Sequence, residues 1–563
     1  MTALLTDNLP LLAGAPNGIK KLRELVLELA VRGKLVPQDP SDEPASELLK
    51  RIAKEKALSG NLKKTKLLPD ITEDEQPFAA PSSWVLSRLG YVGEWAVGSG
   101  FPTQEQGLTD QPIPFCKVSD MNLSGNERFI LTANNSIDET TASRLRVNVH
   151  PAGTVVFPKI GGAIATNKRR LLVKPTAIDN NCLGLTPNGT LSSDYLFLLL
   201  SSIDLTRYQA GTSVPALSQG VLADIIVGVP PLAEQHRIVA KVDELMALCD
   251  RLEAQQADAE SAHAQLVQAL LGSLTQAADA EDFATSWQRL AEHFHALFTT
   301  ESSIDALKQT LLQLAVMGKL VPQDPSDEPA SELLKRIAEE KGGLVAAGKL
   351  KKQKPLTDVD EEEKPFDLPK GWQWVRLGQV AEASTGHAFK SSEYRASGTF
   401  VLRVTNINPD GTLDLTDAKY IDQVAANSTY QSVRLEAGEI LLVMVGGSLG
   451  KIGVVDASCL PAVLNQNMWK IFCPQRVNRD YLIYGLRLIN STQLKITNST
   501  HGHLAQGEYL SKLFPLAPEK EQHRIVAKVD QLMALCDQLK ARLTQARQLN
   551  EQLATALVEQ AVA

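Results

Sequence analysis

The chain carries several residue sets whose types suggest chemistry, and each fails at a defined point. A methyl-transferring centre needs a glycine-rich cofactor loop and an Asn/Asp-Pro-Pro-aromatic tetrapeptide. Gly98-Ser99-Gly100 supplies a lone Gly-x-Gly and no such tetrapeptide occurs, so a loop turn is the better reading. A phosphate-cradling loop needs GxxxxGK[ST]. Gly446–Lys451 comes near, but Val445 stands where the first glycine is required and Ile452 replaces the magnesium-binding hydroxyl. A nuclease centre needs clustered carboxylates with a lysine at catalytic spacing. Asp358–Glu363 is such a cluster only in composition, and a solvated linker loop explains it. His501-Gly502-His503 has no evident third metal ligand, and an ordinary loop accounts for it. The expectation is a chain with no catalytic residues, no metal and no cofactor of its own.

What remains is a set of forked donors, amides and small hydroxyls. Arg and Lys suit guanine, and Asn and Gln suit adenine. Lys, Arg and hydroxyls on glycine-rich turns suit phosphate. In the first half these types gather at Thr103 and Gln104 and in the run Lys159, Thr166, Asn167, Lys168, Arg169, Arg170. In the second half they gather at His387, Lys390, Ser391 and Arg403, then at Lys451, Asn465 and Gln466. These are the residue types and positions that contact with DNA would use. The formal net charge of −8 argues against nucleic acid only if it is spread evenly. By segment, residues 85–230 are close to neutral and 370–517 mildly basic, so the acidity lies elsewhere.

The elements that must hold these residues are written twice. Gly33–Ala53 (GKLVPQDPSDEPASELLKRIA) returns unchanged as Gly318–Ala338, and EQHRIVAKVDELMALCDRL at Glu234–Leu252 returns almost unchanged at Glu521–Leu539. The period is far longer than that of any solenoid, so this is a duplicated module. Before each first repeat, apolar residues at helical spacing (Leu22, Leu25, Val26, Leu29) predict a helix stopped by Gly33. Ser41, Asp42 and Ser46 are candidate caps for a second helix at ASELLKRIAKEK. A linker follows in both copies, with lysines (63, 64, 66; 351, 352, 354), an acidic run and then Pro-Phe and Trp. The two segments between the repeats differ from one another. Runs such as TVVFPKI, RLLVKP, IPFCKV, FVLRVTNI and GEILLVMV predict short strands, with helical spacing near Tyr195–Leu200 and Tyr481–Leu488. After each, a proline junction opens a long helix. Its apolar residues (Ile238, Val242, Leu245, Cys249, Leu252, Ala259, Ala262, Leu266; Ile525, Val529, Leu532, Cys536, Leu539, Leu543, Leu553, Leu557) predict a coiled-coil seam. Phe283–Phe298 predicts one amphipathic helix that is not repeated.

The fold class is therefore mixed α/β (α+β), with a pseudo-twofold repeat and two α/β domains separated by long antiparallel coiled-coil helices. Boundaries are expected at 1–83 (helical region and linker), 84–230 (first domain), 231–368 (central helices, repeat and linker), 369–517 (second domain) and 518–563 (closing helix). No apolar run reaches membrane-spanning length. The start lacks a signal-peptide pattern, and six cysteines without CxxC pairs suit a reducing, cytoplasmic setting. Cys249 and Cys536 fall in apolar stripes and read as core residues.

The doubled arrangement resembles the specificity (S) subunit of type I restriction–modification enzymes. PPLAEQHRIVAKVDELMALCDRL closes the first variable domain, and its copy closes the second. KLRELVLELAVRGKLVPQDPSDEPASELLKRI, repeated mid-chain, resembles the branch with a long conserved N-terminal segment. The resemblance implies two target recognition domains, each reading half of a bipartite double-stranded DNA site. The helices set the unread gap and dock two methyltransferase (M) subunits. S-adenosylmethionine then belongs to M, and ATP and magnesium to two motor-nuclease (R) subunits. No membrane is implied, and Glu234, Gln235, Arg237, Glu521, Gln522 and Arg524 are candidate subunit-interface residues. The first domain ends in the usual pattern GTSVPALSQGVLADIIVGVPPL, whereas STHGHLAQGEYLSKLFPLAPEK follows it only in outline. The alternative readings are a duplicated coiled-coil adaptor for proteins and a self-contained DNA-modifying enzyme. The missing cofactor motifs weigh against the second of these.

Overall fold

The first repeated stretch folds as its apolar spacing requires. In the computed structural model, helix Gly18–Val31 buries Leu22, Leu25, Val26 and Leu29 and stops where Gly33 takes a φ of +70°. That turn lies against Pro81 and Trp84, and a Cβ on Gly33 would stand 2.5 Å from the Pro81 ring. Gly318 repeats the arrangement against Pro369 and Trp372. The second helix spans Ala45–Leu58, so Ser46 falls inside its first turn and Ser41 and Asp42 lie before it. Ser41 bonds Asp39, and Asp42 is held by Arg237. The residues described are 12–58, 71–211, 214–277, 280–350, 356–494 and 504–562. The lysines of both linkers, His501 and His503 lie outside them.

The chain divides into two units, Met1–Glu260 with Gln545–Ala563, and Ser261–Thr544. In the first unit the domain opens with β1 (Val85–Arg88) and closes with β13 (Ile226–Val229), paired antiparallel so that its two ends lie side by side. One sheet joins β2 (Gly93–Val97), β10 (Cys182–Pro187), β7 (Val155–Pro158), β8 (Arg170–Leu172) and β4 (Phe129–Ile130) in that order. Another joins β5 (Ser136–Ile137), β3 (Ile113–Cys116), β9 (Thr176–Ile178) and β6 (Val149–His150). A small ladder pairs β11 (Gln209–Ala210) with β12 (Ala216–Leu217). The expected helix spans Ser193–Ser202, capped by Ser192.

The second unit repeats this topology with a different sequence. β14 (Gln373–Arg376) pairs with β23 (Leu513–Leu516). One sheet runs β15 (Glu382–Thr385), β22 (Met468–Phe472), β19 (Ile440–Val443) and β20 (Ile452–Val454). The other runs β17 (Tyr420–Ile421), β16 (Thr399–Leu402), β21 (Ala462–Leu464) and β18 (Arg434–Leu435). The central pair of this sheet is parallel in both units, β3 with β9 and β16 with β21. Helix Arg479–Thr492 occupies the place of Ser193–Ser202. Tyr195 and Tyr481 are fully buried there, each with its hydroxyl donating to a backbone carbonyl of the closing strand.

The long helices span Leu232–Gln276 and Glu519–Val562, and the unit boundary falls inside each. Ile238, Val242 and Cys249 share the first unit's core with the leading helix and with Ala554 and Ala561. Cys536, Leu532 and Leu539 share the second unit's core with Val267, Leu271, Leu274 and helix Glu301–Val316. The seam turns slightly from its expected line: Val267 and Ala554 are buried where Leu266 and Leu553 are exposed. Ion pairs flank each seam. Arg23 meets Asp250 at 2.6 Å and Glu253 at 2.7 Å, whereas Lys308 meets Asp537 and Lys540 meets Asp305 at 3.1 Å. The unrepeated helix spans Ala280–Glu292 and breaks at His293 before a short turn, Phe294–Leu297. Among the described residues no helix is long and apolar enough to cross a membrane, and no cluster of three or more His, Cys, Asp or Glu is placed to hold a metal.

Candidate nucleic-acid interface

In each domain the ends of four strands converge on one edge. In the first domain β2 and β7 both run antiparallel to β10, and Val97 pairs with Leu183 beside Pro158 with Cys182. The turn Asp179–Asn181 leads into β10 from β9, whose parallel neighbour is β3. Backbone bonds tie the strand ends together: Ser99 N to Ile178 O (2.8 Å), Asp179 N to Cys116 O (3.0 Å), and Lys159 N to Asn181 O (2.7 Å). Leu217 N adds a bond to Lys159 O at 2.9 Å, bringing in the closing segment. The second domain makes the same set with His387 N to Leu464 O (2.9 Å), Asn465 N to Leu402 O (3.1 Å), Met444 N to Asn467 O (3.1 Å) and Leu504 N to Met444 O (3.0 Å).

This edge gathers most of the candidate contacts. Thr103 and Gln104 are exposed on the turn after β2. Lys159 ends β7, and the turn Gly162–Thr166 leads to Asn167 in a left-handed conformation with φ of 50°. Thr166 is exposed and its hydroxyl donates to Ala163 O at 2.7 Å. Lys168 donates to Asn122 on the segment after β3, and Arg170 to Met121 O at 2.7 Å. In the second domain His387, Lys390 and Ser391 are exposed after β15, and the His387 ring lies 4.7 Å from Tyr430 and 5.0 Å from Phe389. His387 bridges to Asn465, with Gln466 exposed beside it. Lys451 closes the glycine turn after β19, the counterpart of the turn that ends at Thr166. Arg403 ends β16 half-buried and paired with Asp417 at 2.8 Å.

Arg169 does not join them. It is 3% exposed, and its guanidinium donates to Leu200 O, Ile203 O and Lys168 O, each at 3.0 Å, above the Phe157 ring. Burial presses its pKa down, and Asp204 opposes that. It pins the strand to helix Ser193–Ser202, and its burial keeps the guanidinium out of reach of a base.

The junction residues also prove to be internal. Glu234, Gln235, Glu521 and Gln522 are at most 1% exposed, so they offer no surface to another subunit. Gln522 donates to Ala517 O (2.9 Å) and accepts from Asn478 N (2.9 Å), where Asn478 caps helix Arg479–Thr492. Gln235 does the same with Thr190 O (3.0 Å), Pro230 O (3.1 Å) and Ser192 N (2.8 Å). Each glutamine thus fastens the long helix to the domain helix. Glu521 accepts from Trp372 Nε1 at 2.9 Å and from Gln323 Nε2 at 3.2 Å. Gln38 donates to Glu234 at 2.6 Å, and the Trp84 indole N–H faces the same carboxyl, as Trp372 faces Glu521. Burial raises the pKa of both carboxyls against these donors. Arg237 pairs with Asp42, and Arg524 with Asp327, at 2.6 Å each, so these two are frame residues with partly exposed side chains.

Sequence reasoning passed over Lys117, Asn180 and Asn181. Lys117 ends β3 as Arg403 ends β16, and its ammonium lies 5.5 Å from the Phe101 ring centre. Asn180 and Asn181 stand where Gln466 and Asn467 stand. The signal available was the position directly after a strand of the parallel pair.

Comparisons with known proteins agree with this architecture. The family described as type I restriction modification DNA specificity domain matches residues 81–260 and 369–547. The chain is 39% identical over 568 residues to the type I restriction enzyme EcoAI specificity subunit of Escherichia coli, covering 97% of this chain and 94% of that protein. It is 36% identical to the EcoEI specificity subunit of Escherichia coli, with the same coverage. A solved chain from a study of complex assembly and conformational transition in the type I R-M system shares the fold, with a TM-score of 0.51 and 19% identity. That match covers 86% of this chain and 99% of the other. With two copies of the family's domain in one duplicated frame, the chain belongs to the specificity subunits of type I restriction–modification systems.

Proposed function

We propose that the two domains, residues 84–230 and 369–517, each read one half of a bipartite site in double-stranded DNA. The reading surface is the edge where the four strand ends converge, with phosphate contacts from its lysines and base contacts from its amides. The helices fix the unread gap and carry two M subunits, with two R subunits in the full nuclease. The chain performs no chemistry. S-adenosylmethionine is the cofactor of M, ATP and magnesium serve R, and the assembly works in the cytoplasm. One observation carries this reading: two domains of dissimilar sequence share a topology that brings the same loops to the same edge. Divergent side chains on a common frame are what two different half-sites require.

The test is adenine methylation mapped across a genome when the chain is co-expressed with its cognate M subunit. A single bipartite motif with an unread gap is expected. Exchanging residues 84–230 for another such domain should change one half of that motif only, and a change in both halves or neither would sink the two-reader scheme.

A further inference from the structure

The most constrained part of each edge is the turn after the parallel strand, Asp179–Asn181 or Asn465–Asn467. Three neighbouring strand ends bond it or its flanks through backbone groups in both domains. Glycines press on it as well. A Cβ on Gly98 would stand 1.9 Å from Asp179 O, and one on Gly386 would stand 2.1 Å from Asn465 O. A backbone fixed in this way loses little freedom when it binds.

Apart from Asn181 and Asn467, the residues around the turn differ between the domains. Ser99 corresponds to His387, Lys159 to Met444 and Asp179 to Asn465. The middle residue of the turn keeps its chemistry, because Asn180 and Gln466 are both exposed carboxamides. The neighbouring Asn181 is exposed too, but its amide already donates to the Asp179 carboxylate at 2.9 Å. A carboxamide donates and accepts in one plane, which matches the N7 acceptor and N6 donor of adenine in the major groove.

We propose that Asn180 and Gln466 are the equivalent base readers of the two domains, each recognising an adenine in its own half-site. This rests on the half-site reading above. The experiment maps methylation for the chain assembled with its M subunits, as wild type, Asn180→Ala and Gln466→Ala. Asn180→Ala should relax one A·T position in one half-site, lowering preference for that base about 5- to 150-fold, with the other half unchanged. Gln466→Ala should do the same in the opposite half. The retained half-site reports that the variant is folded and assembled. An unchanged motif overturns the assignment, as does equal weakening on all sequences, which marks a phosphate contact. A wild type with no bipartite motif overturns the half-site reading itself, and this inference with it.

Discussion

Arg169 commits its guanidinium to three backbone carbonyls and the Phe157 ring. Replacing it removes charge-assisted bonds and leaves buried acceptors unmet. Arg169→Met should cost about 2–4 kcal/mol in thermal unfolding of the first unit. The salt dependence of DNA binding should stay as in wild type, whereas a phosphate-contacting arginine would lower that slope. Glu521 gives a pH-dependent counterpart. Burial raises its folded pKa, so keeping it charged costs stability above that pKa, and the cost fades as pH falls through it. Glu521→Gln removes that charge cost but sets a carboxamide NH2 against one of the two donors, Trp372 Nε1 or Gln323 Nε2, so it should unfold below wild type at neutral pH. The gap should widen in mildly acid solution, toward the ordinary carboxylate range, where wild type sheds its charge cost and the variant has none to shed. A melting series across pH checks this, and a gap that narrows toward acid would mean that the charged form is favoured.

Elements show where the sequence was legible. Strands at TVVFPKI, RLLVKP and GEILLVMV were readable because short β-branched runs bounded by turns have few other uses. The pairing of IPFCKV and FVLRVTNI was not, since β3 with β9 and β16 with β21 are brought together across long stretches of chain. The convergent edge was legible only in part for that reason. His387 and Asn465 are far apart in sequence and become neighbours only through the parallel pair. The acidic runs were read as solvated loops, yet Glu363 bonds the buried Arg376 at 2.6 Å, and Glu75 bonds the buried Arg88 at 3.1 Å. Nothing local marks which carboxylate of a run will find a buried partner. Gly98 was set down as a turn glycine, but the close approach of Asp179 O is what demands it. Gly98→Ala should displace that turn and blur one half-site in a methylation map while sparing the other. An unaltered motif would show that the edge tolerates the shift.

For the whole molecule, the faithful repeats have a physical cause: each repeated segment contacts another repeated segment. Asp42 and Gln38 meet Arg237 and Glu234, and Asp327 and Gln323 meet Arg524 and Glu521. Changing one member strands a buried partner, so the segments are constrained together. Removing residues 545–563 should open the first unit's core around Ala554 and Ala561 while the second unit keeps its own. Limited proteolysis followed by mass spectrometry reads this as new cleavage confined to residues 12–260, and equal loss in both units would contradict it.

The same division fixes an order of events during synthesis. The first unit is complete only when the last residues emerge, roughly 15–60 s after residue 260 at ordinary elongation rates. Meanwhile a second frame with identical locking segments is being made, and the locks themselves cannot tell the copies apart. The ion pairs can. Glu253 faces Arg23 in one unit, whereas Lys540, at the corresponding helix position, faces Asp305 in the other. A leading helix docked on the wrong long helix would set Arg23 against Lys540, or Asp305 against Glu253. Reversed charge at one position on each long helix thus disfavours docking on the other half's partner, by no more than the modest worth of a surface ion pair.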